Sequence, residues 1–292
     1  MSRRRSWLKL TGMGCGFVAL LGAIGLGLVW LQFSFLSGRA LQTREALEKT
    51  LPTQADFTPW PDDVIPADRI ERFLAVRREL QPRCEEFAGL RRGMNSMERR
   101  TREMQGMSED QQKQELKALA GEGGSTLRRM LALTRDLPRY SIARNEALIR
   151  NEMGLGEYTW IYVMAYYAWL GHEPESFPVS KEETPRIFKD RVLGQVWAMA
   201  GRHVDELAAL SASTPEDSDT GSSLSLRLAV WHGEMQSHAA APDRVPFQGR
   251  LPERMAASLA PYRGRIEKLF CPETNELEIM RTEKGFLKYE HN

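Results

Sequence analysis

The chain reads as an all-α protein, with a single N-terminal transmembrane helix followed by an extracytoplasmic multi-helix bundle. Three observations carry that reading. The run Leu10–Ser37 holds no charged side chain, apolar stripes at three- and four-residue spacing recur through the remaining length, and no strand-rich region interrupts them.

The anchor comes first. A bilayer core needs about 20 apolar residues of helix, and the uncharged run is longer than that. Arg3, Arg4, Arg5 and Lys9 precede it, and the first acid is Glu45, so the positive-inside bias places residues 1–9 in the cytoplasm as a basic tail. Trp30, Phe33 and Phe35 suit an interfacial aromatic belt at its far end. Residues 10–38 form the signal-anchor helix. Gly38-Arg39-Ala40 has the small-x-small form of a signal-peptidase site, but the apolar run exceeds the 7–15 residues of a cleaved signal, which favours retention. Arg4-Arg5-Ser6-Trp7-Leu8-Lys9 resembles a twin-arginine export signal, with Arg3 where that signal usually has Ser or Thr. Cys15 opens the apolar run instead of closing it, so it is not a lipoprotein cysteine. Gly12, Gly16, Ala19, Ala23 and Gly27 share one helical face, and small residues at that spacing allow two membrane helices to approach closely as a dimer.

Beyond the anchor, residues 39–66 read as a spacer that lifts the domain off the bilayer, because Leu51-Pro52, Trp60-Pro61 and Ile65-Pro66 stiffen the chain and remove backbone donors. Residues 67–292 then form the helical domain. Ile70, Phe73, Leu80, Cys84 and Phe87 make the stripe of its first helix. A second, highly charged helix is expected over Met94–Ala120, ended by Gly121-Glu122-Gly123-Gly124, with further helices near 125–136 and 140–153. Glu157–Leu170 is apolar and aromatic on every face. It is too short to span a bilayer and reads as a buried central helix bounded by Gly156 and Gly171.

Thr184-Pro185 starts a helix to about Leu210, Ser211–Ser223 reads as a flexible loop, and a helix follows over 224–237. Pro252 opens the last helix, which Pro261 should kink. A short hairpin around Glu283-Lys284-Gly285 is expected within the tail Glu276–Tyr289.

Composition excludes some functions. Five of the 40 basic residues lie at or before Arg39, which leaves 35 against 39 acids, and a mildly acidic domain lacks the basic footprint of a nucleic-acid binder. No cofactor is implied. There is no Gly-x-Ser-x-Gly elbow, phosphate-binding loop, dinucleotide fingerprint or paired-histidine zinc motif. His172, His203, His232, His238 and His291 share no metal-ligand spacing. His203 and His232 each have a carboxylate nearby in sequence, Glu206 and Glu234. Met94, Met97, Met104 and Met107 repeat at soft-ligand spacing, but Met97 and Met104 stand about 10 Å apart along a helix, which suits packing better than copper.

Three sets of residues remain. Cys84 and Cys271 lie where disulfides persist, yet spacing alone does not show that their sulfurs meet, and Cys84 on an apolar stripe also suits a buried free thiol. The small-residue face of the anchor is the second. Tyr158, Tyr162, Tyr166 and Trp169 are the third, as either core or pocket lining.

The expectation is a single-pass bacterial inner-membrane protein whose periplasmic domain binds an envelope protein or a second copy of itself. The absence of an Asn-x-Ser/Thr site fits a bacterial source. The alternative is an exported enzyme or ligand carrier with a pocket on the aromatic helix.

Overall fold

The computed structural model describes residues 34–105, 135–173, 184–215, 218–241 and 244–279. The anchor face Gly12, Gly16, Ala19, Ala23 and Gly27 lies outside the described residues, as does Met107. Of the expected transmembrane helix only positions 34–38 fall within them. Among the described residues no helix is long and apolar enough to cross a membrane, and all regular structure is helical, without a strand.

In chain order the elements are α1 (34–50), α2 (Ala67–Gln105), α3 (135–150), α4 (Leu155–Tyr162), a π-helical segment (Val163–Trp169), α5 (Thr184–Ser213), α6 (Asp219–Ala240), α7 (Glu253–Leu259), a 3₁₀ turn (Ala260–Tyr262), α8 (Arg263–Lys268) and α9 (Asn275–Ile279).

The helix α4 and its π extension form the axis of the core. All of Leu155–Ala168 is buried, as expected of a helix that is apolar all round. Among its polar side chains, Glu157 takes a bidentate ion pair from Arg69 of α2, and the Thr159 hydroxyl accepts from Gln54 at 3.0 Å. The switch from α to π repeat has a visible consequence. Tyr162 and Tyr167, five residues apart, both donate to Asn275 Oδ1 at 2.8 Å. In a regular α-helix such residues stand about 140° apart around the axis, whereas the wider π turn brings them to one side.

The segment 39–66 is not a spacer held away from the domain. It is helical to residue 50, with Ala40 and Leu47 buried, and α1 is tied to α3 by Arg39–Glu146 at 3.1 Å. The proline-bearing stretch that follows folds onto the core, where Ile65 is buried. Its carbonyls find side-chain donors: Arg202 of α5 donates to Gln54 O at 2.9 Å and Phe57 O at 2.7 Å. Prolines had removed donors, and arginine supplies them from elsewhere.

Other boundaries shift. The break expected before Met94 is absent, since α2 continues through Gln105 and carries Met94, Met97 and Met104; Pro82 lies inside it. The loop expected over 211–223 is much shorter. Helix α5 runs to Ser213, and Ser218 caps α6 by accepting from Gly221 N at 3.0 Å, so α5 and α6 form a tight helical hairpin. At Pro261 the last helix is interrupted by the 3₁₀ turn. Glu276–Ile279 belongs to α9, not to a hairpin, and 280–292 lies outside the described residues.

Candidate functional site

Among the described residues, three constellations and one surface stand out from the apolar core. The first lies at the centre. The apolar stripe of α2 is interrupted at Arg77, which stands four residues after Phe73 and three before Leu80 and is fully buried with them. Its guanidinium pairs with Glu278 of α9, and it donates to the Leu269 carbonyl at 2.5 Å. Glu278 also accepts from Tyr158 at 2.6 Å and Thr274 at 3.0 Å.

A second buried arginine, Arg144 of α3, donates to the carbonyls of Leu277 and Glu278 at 2.7 and 3.1 Å. Burial pulls the Arg77 guanidinium toward neutrality, but the Glu278 charge outweighs it and holds Arg77 firmly protonated. Burial, reinforced by that same carboxylate, pushes the Tyr158 phenol well above its ordinary range, so it stays a neutral donor.

This cluster fastens residues 269–278 to α2, α3 and α4. It also answers what the aromatic helix does. Tyr158, Tyr162 and Tyr166 are fully buried, their hydroxyls taken by Glu278, Asn275 and the Ile266 carbonyl. Trp169 sits at the edge of the core beneath the Arg263 guanidinium, 5.1 Å from its ring centre. These four residues pack against protein partners.

The second constellation was not legible from spacing. Asp63 adopts a left-handed backbone with φ of 58° and directs its carboxylate into the base of the α5–α6 hairpin. Oδ1 lies 2.9 Å from His203 Nε2 and accepts from Trp231 Nε1 at 2.9 Å, while Oδ2 accepts from Arg227 Nε at 2.6 Å. Burial alone would raise this carboxyl; the hydrogen bonds from His203, Arg227 and Trp231 outweigh it and hold the group below the usual carboxylate range. The other His203 nitrogen faces the Pro59 carbonyl at 3.4 Å. The arrangement is a latch joining the proline-rich turn to α5 and α6. Sequence proximity suggested Glu206 as the carboxylate partner of His203, but the actual one is 140 residues away.

The remaining histidines do not converge. His172 stacks on Phe270 with ring centres 3.8 Å apart, His238 stacks on Trp197 at 4.1 Å, His232 is exposed, and His291 lies outside the described residues.

The third constellation joins Cys84 of α2 to Cys271, between α8 and α9, as a disulfide with an S–S distance of 2.07 Å and Cα atoms 5.9 Å apart. Glu273 lies against it, its Oε2 3.6 Å from each sulfur.

The surface is the outward side of α6 from residue 222 onward; Asp219, exposed in the first turn, carries a charge at the start of the same side. Ser222, Ser223, Ser225, Leu226, Ala229, Val230, His232, Gly233, Gln236, Ala239 and Ala240 are exposed, and none is Asp, Glu, Lys or Arg. At the charged fraction of the whole chain, 27%, about three of those eleven positions would be charged. The two charged residues within this span are both turned inward, Arg227 to Asp63 and Glu234 to Arg244 and the Phe247 amide. Leu226 is 69% exposed and Val230 48%, and nothing lies within 4 Å of a Cβ placed on Gly233. Solvated helix faces are normally charged, whereas this one exposes Leu226, Ala229, Val230 and Gly233 beside uncharged polar residues.

The chain matches no protein-family model, no curated protein and no solved structure.

Proposed function

We propose that this chain is a membrane-anchored, extracytoplasmic helical domain that works by protein binding, and that its partner is a second copy of itself. The observation that carries the reading is the outward face of α6 from Ser222 to Ala240, which exposes no charged side chain. A face without charge attracts no charged partner, and the matching uncharged helix face at hand is α6 of another copy. Ser222, Leu226, Ala229, Gly233, Gln236 and Ala240 follow a four-three spacing along it, with small residues at four of the six positions and Leu226 as the apolar contact.

Area argues that this contact does not act alone. A helix of 22 residues is about 33 Å long, and a stripe about 10 Å wide covers roughly 300 Å² per copy, well below the ~800 Å² per partner of a stable interface. Tethering in one membrane supplies the difference by raising the effective concentration, and the anchor face Gly12, Gly16, Ala19, Ala23 and Gly27 offers a second contact between the same two copies.

The uncharged run Leu10–Ser37 with its basic flank supports the anchor and a cytoplasmic N-terminus, and the Cys84–Cys271 disulfide suits the oxidising side of a bacterial inner membrane. The occupied hydroxyls of the aromatic helix favour this reading over a ligand carrier with its pocket there.

The test is cross-linking of the full-length protein in membranes, using Gly233→Cys in a Cys15→Ser background. Disulfide-linked homodimers should form under mild oxidation. Adding Leu226→Glu and Val230→Glu should abolish them while leaving the melting curve nearly unchanged, since exposed substitutions cost within about 0.5 kcal/mol. Absence of the homodimer, or exclusive linkage to a different chain, overturns self-association.

A further inference from the structure

We infer that Cys84, Cys271 and Glu273 form a redox-gated site for a thiophilic divalent cation of the zinc class, a cross-link when oxidised and a metal site when reduced. The placement of the acid carries this inference. The Glu273 carboxylate lies 3.6 Å from both sulfurs, and the three potential ligand atoms fall within 4.8 Å of one another.

A disulfide has no proton to donate. In the oxidised state, therefore, this carboxylate faces two acceptor-like sulfurs, and among the described residues it makes no other hydrogen bond or ion pair. An acid in that position adds nothing to a cross-link. It is what a cation site requires.

The dimensions agree. With zinc–sulfur bonds of about 2.3 Å and zinc–oxygen bonds of about 2.0 Å, sulfur and oxygen ligands of a tetrahedral ion stand about 3.5 Å apart. Glu273 is already at that separation from each cysteine. The sulfurs must part from bonding distance to about 3.8 Å, which rotation about the two Cα–Cβ bonds provides with the backbone in place. Both cysteines are buried while Glu273 is half-buried, so the acid marks the side from which an ion enters and leaves the fourth coordination position toward water.

A dithiol reductant delivers two electrons and two protons to the Cys84–Cys271 bond and becomes a cyclic disulfide, leaving two thiols. The cation then forms two metal–sulfur bonds as both thiol protons pass to solvent, with the ionised Glu273 carboxylate as third ligand.

The probe is cobalt(II) chloride, displaced by zinc chloride, added to full-length Cys15→Ser protein in detergent. Oxidised protein should bind none at this site. After reduction with a phosphine and its removal, one equivalent should bind with a thiolate-to-cobalt charge-transfer band. Cys84→Ser should lose the band. Glu273→Gln, which keeps both thiols, should retain it with affinity lowered at least about tenfold.

Circular dichroism of oxidised Glu273→Gln checks that the variant folds. A reduced protein that gives no charge-transfer band overturns the inference, as does cobalt affinity unchanged in Glu273→Gln. Loss of helix on reduction that cobalt does not restore overturns it as well.

Discussion

Asp63 shows how much a single side chain organises here. Its left-handed backbone turns the carboxylate inward, and its two oxygens receive the His203, Trp231 and Arg227 groups that join the proline-rich turn to the α5–α6 hairpin. Its folded-state pKa is depressed, so its contribution to stability is present above the unfolded value of about 3.9 and is lost as the pH falls through the lower folded value. Asparagine tolerates the same backbone, removes the charge and exchanges one acceptor oxygen for a donor. Asp63→Asn should therefore cost about 1–3 kcal/mol at neutral pH, because an amide cannot accept from donors on both sides. Urea titrations at pH 7 and pH 3 should show the gap between variant and parent narrowing in acid; a constant gap would mean that the carboxylate charge is not what holds the latch.

Arg77 belongs to the same scale and was within reach of the sequence. A lone arginine at the right spacing inside the stripe Ile70, Phe73, Leu80, Cys84 and Phe87 is either turned to solvent or buried with a carboxylate. Its partner, Glu278, is 201 residues away, and no local pattern names it.

Among the elements, α4 depends on close backbone contact at its start. A Cβ on Gly156 would meet Phe57 Cβ and the Thr53 carbonyl at 2.7 Å, and one on Gly154 would meet the Pro52 carbonyl at 2.5 Å. The turn after α1 is thus pressed directly against the N-terminus of α4. Gly156→Ala should destabilise the domain by about 1–3 kcal/mol, by forcing backbone apart in a packed interior, whereas Gly201→Ala on α5, which has nothing within 4 Å, should not. Paired thermal melts measure the difference.

Sequence reading placed Gly156 as a helix boundary and gave the right element type. It assigned residues 51–57 to a spacer because prolines and polar residues look alike whether a segment is solvated or folded onto a neighbour. The π segment escaped for a related reason. A stretch that is apolar on every face carries no periodicity from which to distinguish one helical repeat from another.

At the scale of the molecule, the segment 269–279 closes the bundle. Arg77, Arg144, Tyr158 and Tyr162 hold it by hydrogen bonds, and the Cys84–Cys271 bond closes a loop of 187 residues. Replacing both cysteines by serine should cost about 2–5 kcal/mol in urea unfolding, with hydrogen exchange rising first at α9. Equal stability with and without the bond would show that the buried arginines hold the segment unaided.

Composition and spacing suffice for the helical class, the central aromatic helix and the stripe that α2 buries. Each follows from where apolar side chains fall along the chain itself, and helical periodicity is a local property. The partners were decided only in three dimensions. Asp63 with His203, Arg77 with Glu278, Glu273 against the two cysteines and the uncharged outward stretch 222–240 of α6 depend on which surfaces meet across the bundle. Hydrogen bonds and ion pairs act over about 3 Å of space, whatever the length of chain between the residues that make them.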